Sequence, residues 1–169
     1  KCTFDNRYIS LEAEHYSRKN ETGGIHWEII PDLGKTLSGV TTFPQNVYPK
    51  STDAVYLEYD VNFEIAGEFP VHILVSPTLN FNDNKGLRYA VSFDGGTEQI
   101  VNINQNYDVK LMEKWQEKSI NETITRHKID KPGKHSLRFR VLEPGIVLQK
   151  IMIDLGGLKK SYLGAPGKR

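Results

Sequence analysis

A single cysteine, Cys2, leaves the chain no internal disulfide, so its 169 residues must be held by an ordinary packed core. No apolar run approaches the roughly 20 residues that carry a helix across a bilayer, which excludes a helical membrane span. Neither charge dominates: 22 basic residues face 21 acidic ones, for a net charge of +1. A protein that holds nucleic acid by neutralising phosphates is more basic than this, so nucleic acid is excluded as a partner. The basic residues near the end (Lys159, Lys160, Lys168, Arg169) read as a solvated tail. No nucleophile elbow, phosphate loop, zinc-protease helix or paired-cysteine motif is present. The five histidines (His15, His26, His72, His127, His135) fall one per element without metal-ligand spacing, and read as surface or packing residues. The abrupt start at Lys1-Cys2 reads as a piece of something larger. The Asn-x-Thr triplets at Asn20 and Asn121 carry little information, being short and common by chance.

What the chain does have is alternation. Val55, Leu57, Tyr59, Val61 and Phe63 are apolar, and Tyr56, Glu58, Asp60, Asn62 and Glu64 between them are polar. A period of two predicts a strand with one buried face, as in an antiparallel sheet. Leu87 to Phe93 and His135 to Val141 repeat the pattern. Shorter strands are predicted at 25–30, 36–43, 71–76, 99–104 and 146–154, and 121–129 is compatible with an extended chain. Polar loops fill 17–24, 45–53 and 77–86. Ala66-Gly67-Glu68, Asp94-Gly95-Gly96 and Asp130-Lys131-Pro132-Gly133 are turns. Residues 108–119 break the period, with Leu111, Met112 and Trp115 at helical spacing, and predict at most one short helix. About nine short strands with frequent turns predict an all-β antiparallel sandwich. It occupies residues 1–155, and 156–169 form a tail, packed back or flexible.

The opening stretch, Ile9 to Tyr16, reads as a strand whose period puts Glu12 and Glu14 on one face, one pleat apart. Adjacent carboxylates repel, so they call for a cation, a proton or open water. They lie too close in sequence to flank a scissile bond from opposite sides, which argues against a glycosidase pair. One alternative is a solvated face paired with Arg18, Lys19 or Lys150.

Leu11-Glu12-Ala13-Glu14-His15-Tyr16 resembles the opening of carbohydrate-binding modules of families 6 and 35. The segments Trp27 to Thr36, Ser76 to Leu79, Leu87 to Asp94, Gly133 to Arg138, Pro144 to Ile151 and Gly156 to Gly164 follow in order. This series resembles the C-terminal domain of glycoside hydrolase family 115, the xylan α-glucuronidases, over nearly the whole chain. The resemblance implies a jelly-roll, galactose-binding-like sandwich without catalytic residues. Such a domain is secreted, periplasmic or on the cell surface, and accessory to a catalytic domain of the same parent chain. It further implies a structural calcium on Glu12, Glu14 and Asp154, with carbonyls from the 17–24 loop.

The partner implied is a polysaccharide or oligosaccharide. Sugars are held by aromatic faces and fixed hydrogen-bonding groups. The candidates are Tyr48, Asn80, Asn82, Tyr107, Trp115 and Asn121 in loops, with Arg88 for an acid sugar's carboxylate. Against this, Trp115 beside Leu111 and Met112 reads equally as a core anchor, and Arg88 as a cross-strand partner of Glu58 or Asp60. Trp27, flanked by Ile25 and Ile29, reads as core. The other function class compatible with the sequence is a structural or homodimerising module of a larger hydrolase.

Overall fold

The computed structural model describes residues 8–31, 38–44, 49–50, 54–76, 88–102 and 121–156. The predicted helix at 108–119, the tail beyond Gly156, and Tyr48, Asn80, Asn82, Tyr107 and Trp115 lie outside the described residues. Among the described residues no helix is long and apolar enough to cross a membrane.

The strands are β1 (Tyr8–Glu12), β2 (Arg18–Asn20), β3 (His26–Pro31), β4 (Ser38–Phe43), β5 (Tyr56–Phe63), β6 (Gly67–Ser76), β7 (Arg88–Phe93), β8 (Gln99–Asn102), β9 (Asn121–Ile129), β10 (Gly133–Val141) and β11 (Val147–Asp154). They form two antiparallel sheets, the sandwich that the alternation predicts. One sheet runs β3-β4-β11-β6-β9, with β1 also on β11; the other runs β2-β5-β10-β7-β8. The inward residues of both, including Trp27, Leu57, Tyr59, Phe63, Ile73, Tyr89, Phe139 and Ile151, form one core. Trp27 is buried against Phe139, with ring centroids 6.4 Å apart, and its indole N–H donates to the Asn20 carbonyl.

Three boundaries depart from the sequence reading. β2, only three residues long, lies inside the predicted 17–24 loop; it pairs along the β5 edge, Arg18 opposite Glu58. β6 starts at Gly67, where a turn is predicted, and runs through Pro70. Its ladder with β11 reaches only to Val71, so the missing Pro70 N–H costs no bond on that side. Finally, β1 stops at Glu12 and gives way to a 3-10 turn, Ala13–His15. The cause is burial of Ala13, whose carbonyl accepts the Tyr59 hydroxyl at 2.7 Å and draws the chain inward. Glu12 and Glu14 therefore do not share a pleated face.

Candidate functional site

At one end of the sandwich the start of β6, the end of β7, the start of β8, the end of β9 and the start of β10 converge on an open cleft of about 660 Å³. Phe93, Asp94, Gln99, Arg126, His127 and His135 line it, with Glu68, Lys128, Asp130 and Lys131 around them.

The Phe93–Gly96 turn positions the first wall. Asp94 and Gly95 both have positive φ, 53° and 70°, and the Gly96 N–H donates to the Phe93 carbonyl at 2.9 Å. This is a tight turn with mirror-image dihedrals that opens the connection from β7 to β8, and Asp and Gly are residues that tolerate it. It carries the Asp94 carboxylate over β10. There Oδ1 accepts the Ser136 N–H at 2.9 Å and Oδ2 lies 2.6 Å from His135 Nδ1. The other His135 nitrogen lies 2.8 Å from the Lys131 carbonyl. With an acceptor at each nitrogen, the ring is held to donate from both, which favours imidazolium. The hydrogen bond from Asp94 accordingly raises the His135 pKa, with the Lys131 carbonyl adding to it. Burial pushes the Asp94 pKa up, but the bonds from His135 and the Ser136 N–H outweigh it and leave the carboxyl below its usual range.

His127 forms the second wall. Its ring meets Phe93 edge-on at 5.1 Å and its Nε2 is 2.8 Å from Thr125 Oγ1. Beneath lie Phe63, 5.8 Å from Phe93, and Phe69, stacked on Phe63 at 5.6 Å. Burial in this aromatic floor lowers the His127 pKa from 6.5 to about 4, so the ring is neutral at physiological pH. Gln99 crosses from β8 to β9: its amide N–H donates to the Arg126 carbonyl, and its oxygen accepts the Arg126 N–H at 3.3 Å. The exposed Lys128–Asp130 contact at 3.9 Å contributes little to stability.

The two histidines oppose each other in pH. Because His127 binds its proton less readily in the folded state, stability is full above pH 6.5 and falls as pH drops toward about 4. The loss is on the order of 3 kcal/mol. His135, whose folded pKa is raised, contributes fully below its unfolded value, and that contribution is lost as pH rises through the folded one. Histidine titration by NMR is expected to show His127 unprotonated until near the acid end of the range and His135 titrating above its ordinary value. Two histidines titrating together near 6.5 would contradict this assignment.

The sequence reading missed this cleft. Its only signals were the Asp94-Gly95-Gly96 turn and two histidines either side of the Asp130–Gly133 turn. The strand ends Phe43, Tyr56, Ser76, Arg88, Asn102 and Asn121, which flank the loops chosen instead, lie at the opposite end of the sandwich. Asn121 opens β9 opposite Val75. Arg88 is committed to Glu143: Nε and Nη2 donate to Oε1 at 2.8 and 2.6 Å, and its backbone N–H to Oε2 at 2.6 Å. Its partner within the chain is thus Glu143 rather than Glu58 or Asp60. Those two acids serve Arg18, Lys134, Ser136 and Arg138 on the outer face of the second sheet.

The three predicted metal ligands are not brought together. Asp154 pairs with Tyr8, four residues along the ladder from Glu12, about 13 Å away. Its Oδ1 accepts the Gly156 N–H at 2.7 Å. Glu14, past the strand end, lies 3.8 Å from His15 Nε2. Glu12 faces Lys150, with Nζ and Oε1 3.5 Å apart. Among the described residues no three His, Cys, Asp or Glu side chains are grouped to hold a metal ion.

Known structures share this fold. A family GH115 4-O-methyl-α-glucuronidase with specificity for decorated arabinogalactans superposes with a TM-score of 0.61 at 16% identity; the match covers 86% of this chain and 17% of that one. The chain thus corresponds to a small part of that enzyme. A family 6 carbohydrate-binding module from Cellvibrio mixtus lichenase 5A, in complex with cellotriose, matches at TM-score 0.53 and 17% identity, over 86% of this chain and 95% of the module. A family 35 module from Clostridium thermocellum matches at TM-score 0.57 and 16% identity, over 86% of this chain and 98% of the module. No curated protein sequence matches. The family model of the glycosyl hydrolase family 115 C-terminal domain matches residues 4–167, and the chain belongs to that family.

Proposed function

We propose that this chain is a non-catalytic, carbohydrate-binding accessory domain of an extracytoplasmic polysaccharide-degrading enzyme, and that glycan seats in the cleft between Phe93, Gln99, Arg126 and His135. The observation that carries the reading is the cleft's composition. The rings of Phe93, His127 and His135 line the cleft beside hydrogen-bonding groups such as Gln99 and Arg126, with the buried Phe63 supporting Phe93 from beneath. Aromatic surface next to fixed polar groups is the combination that sugar recognition uses. Held groups lose little entropy when a ligand arrives. Both His135 nitrogens already have acceptors, and Asp94 is shared between His135 and the Ser136 N–H. Neither is placed to pass a proton to a substrate, which supports binding over catalysis.

The competing reading is a structural or dimerising module. It draws on the exposed isoleucines Ile29, Ile65, Ile100 and Ile124. Ile100 and Ile124 lie on the adjoining edge strands β8 and β9, but Ile29 lies on β3 at the other edge of the sheet from β9 and Ile65 between β5 and β6, so the four do not form one contiguous apolar face.

Affinity electrophoresis in gels containing xylan, pectin or glucuronic-acid-bearing glycans tests the proposal. The chain is expected to be retarded by at least one, with a Gln99→Ala, Arg126→Ala variant weakened by roughly tenfold or more. Uniform lack of retardation would favour the structural module.

A further inference from the structure

We infer that the ammonium of Lys150 is the cation that joins the first strand to the last, standing in place of a divalent metal at that seam. Lys150 is directly opposite Glu12 in the β1–β11 ladder, with Nζ 3.5 Å from Oε1. The lysine side chain is only 5% exposed and the glutamate 17%. Lysine is almost never so buried unless a carboxylate offsets its desolvation. Nζ is fully enclosed and makes the ion pair without a well-directed hydrogen bond.

The backbone is shaped for this placement. The β11–β6 register shifts between Leu148 and Lys150. Leu148 and Ile151 both face the core. Strict alternation from Leu148 would turn Lys150 inward and Ile151 outward; the extra residue, Gln149, reverses both. Lys150 then joins a row across four strands on the outer face: Glu12, Lys150, Leu74 and Glu122. Glu122 is taken by His72 at 3.2 Å, and Leu74 and the adjacent Met152 are buried. The ammonium thus stands against Glu12 in apolar surroundings.

A divalent metal does not fit these residues. Calcium needs six to eight oxygen ligands. Glu12 already faces an ammonium, Asp154 is four residues along the ladder, and Glu14 is past the strand end beside His15. Any ion bound to Glu12 would stand next to the Lys150 charge in a low-dielectric environment, where like charges repel strongly.

Thermal unfolding of the 169-residue chain in millimolar calcium and in excess chelator tests this. The two curves are expected to coincide within about 1 °C. Glu12→Gln is expected to lower the midpoint by about 8 °C or more, because it leaves the enclosed ammonium without its carboxylate, and Lys150→Met to lower it by a smaller amount. The double variant is expected to lose less than the sum, the mark of a coupled pair. A midpoint that chelator lowers by several degrees and calcium restores would overturn the inference, as would strictly additive single variants. Should Lys150→Met fail to fold, the chelator comparison on the unaltered chain decides alone.

Discussion

Arg88→Ala is expected to cost about 3 kcal/mol of stability, roughly 10 °C in the unfolding midpoint, and to leave glycan affinity unchanged. The reason is asymmetric burial. Glu143 is 2% exposed, while the guanidinium end of the pair is 40% exposed. Removing the arginine strands a buried carboxylate, and among the described residues only its bond from the residue-88 backbone N–H survives. The exposed arginine end places the cost at the lower end of the range for buried pairs. Arg88→Lys is expected to recover part of the loss. It keeps a charge near Glu143 but not the two nitrogens that converge on Oε1. Equilibrium unfolding of the variants checks the stability; affinity electrophoresis checks the rest. A stable Arg88→Ala chain that no longer binds an acid sugar would reverse the assignment.

Trp27→Ala is expected to cost 3–5 kcal/mol, in the range of roughly 10 °C or more, again without a direct effect on binding. A tryptophan on a fold shared with carbohydrate-binding modules invites assignment as a stacking platform. Here its exposure is 5%, its indole packs near Phe139, and its N–H is spent on the Asn20 carbonyl that ends β2. The Glu21 carboxylate accepts its backbone N–H at 2.6 Å, so the β2–β3 connection is anchored at this residue. Trp27→Phe keeps much of the volume and is expected to cost less than half as much. Its fluorescence offers a second check: a buried indole should not respond to added glycan. A glycan-dependent quench that Trp27→Phe abolishes would contradict the core role.

These two residues illustrate what the sequence reveals and what it hides. The strand Tyr56–Phe63 is legible because burial alternates along it, with Leu57, Tyr59, Val61 and Phe63 inside. Trp27 is legible for the same reason. β2 is not, because three polar residues on a sheet edge carry no apolar signal. The bulge before Lys150 inverts the facing of β11, and a fixed period of two cannot register such a shift. Reading β1 through to Tyr16 failed because Tyr59, 46 residues away, captures the Ala13 carbonyl. The cleft was hidden by the same kind of distance. Asp94 and His135 are 41 residues apart, and Gln99 and Arg126 are 27 apart. Nothing in the local composition of any one strand says that these ends meet. The Arg88 pairing was misjudged because cross-strand neighbours were considered, whereas Glu143 lies just beyond the end of β10.

The binding claim is tested most directly by following the backbone amide spectrum of the isotopically labelled chain as a xylan- or uronate-bearing oligosaccharide is added. The account predicts that shifts concentrate at Asp94, Gly96, Thr97, Gln99, Lys128 and Lys131, with the His135 ring responding alongside them. A spectrum unchanged across such glycans, or shifts confined to the opposite end around Arg88 and Asn121, would contradict the cleft as the binding site.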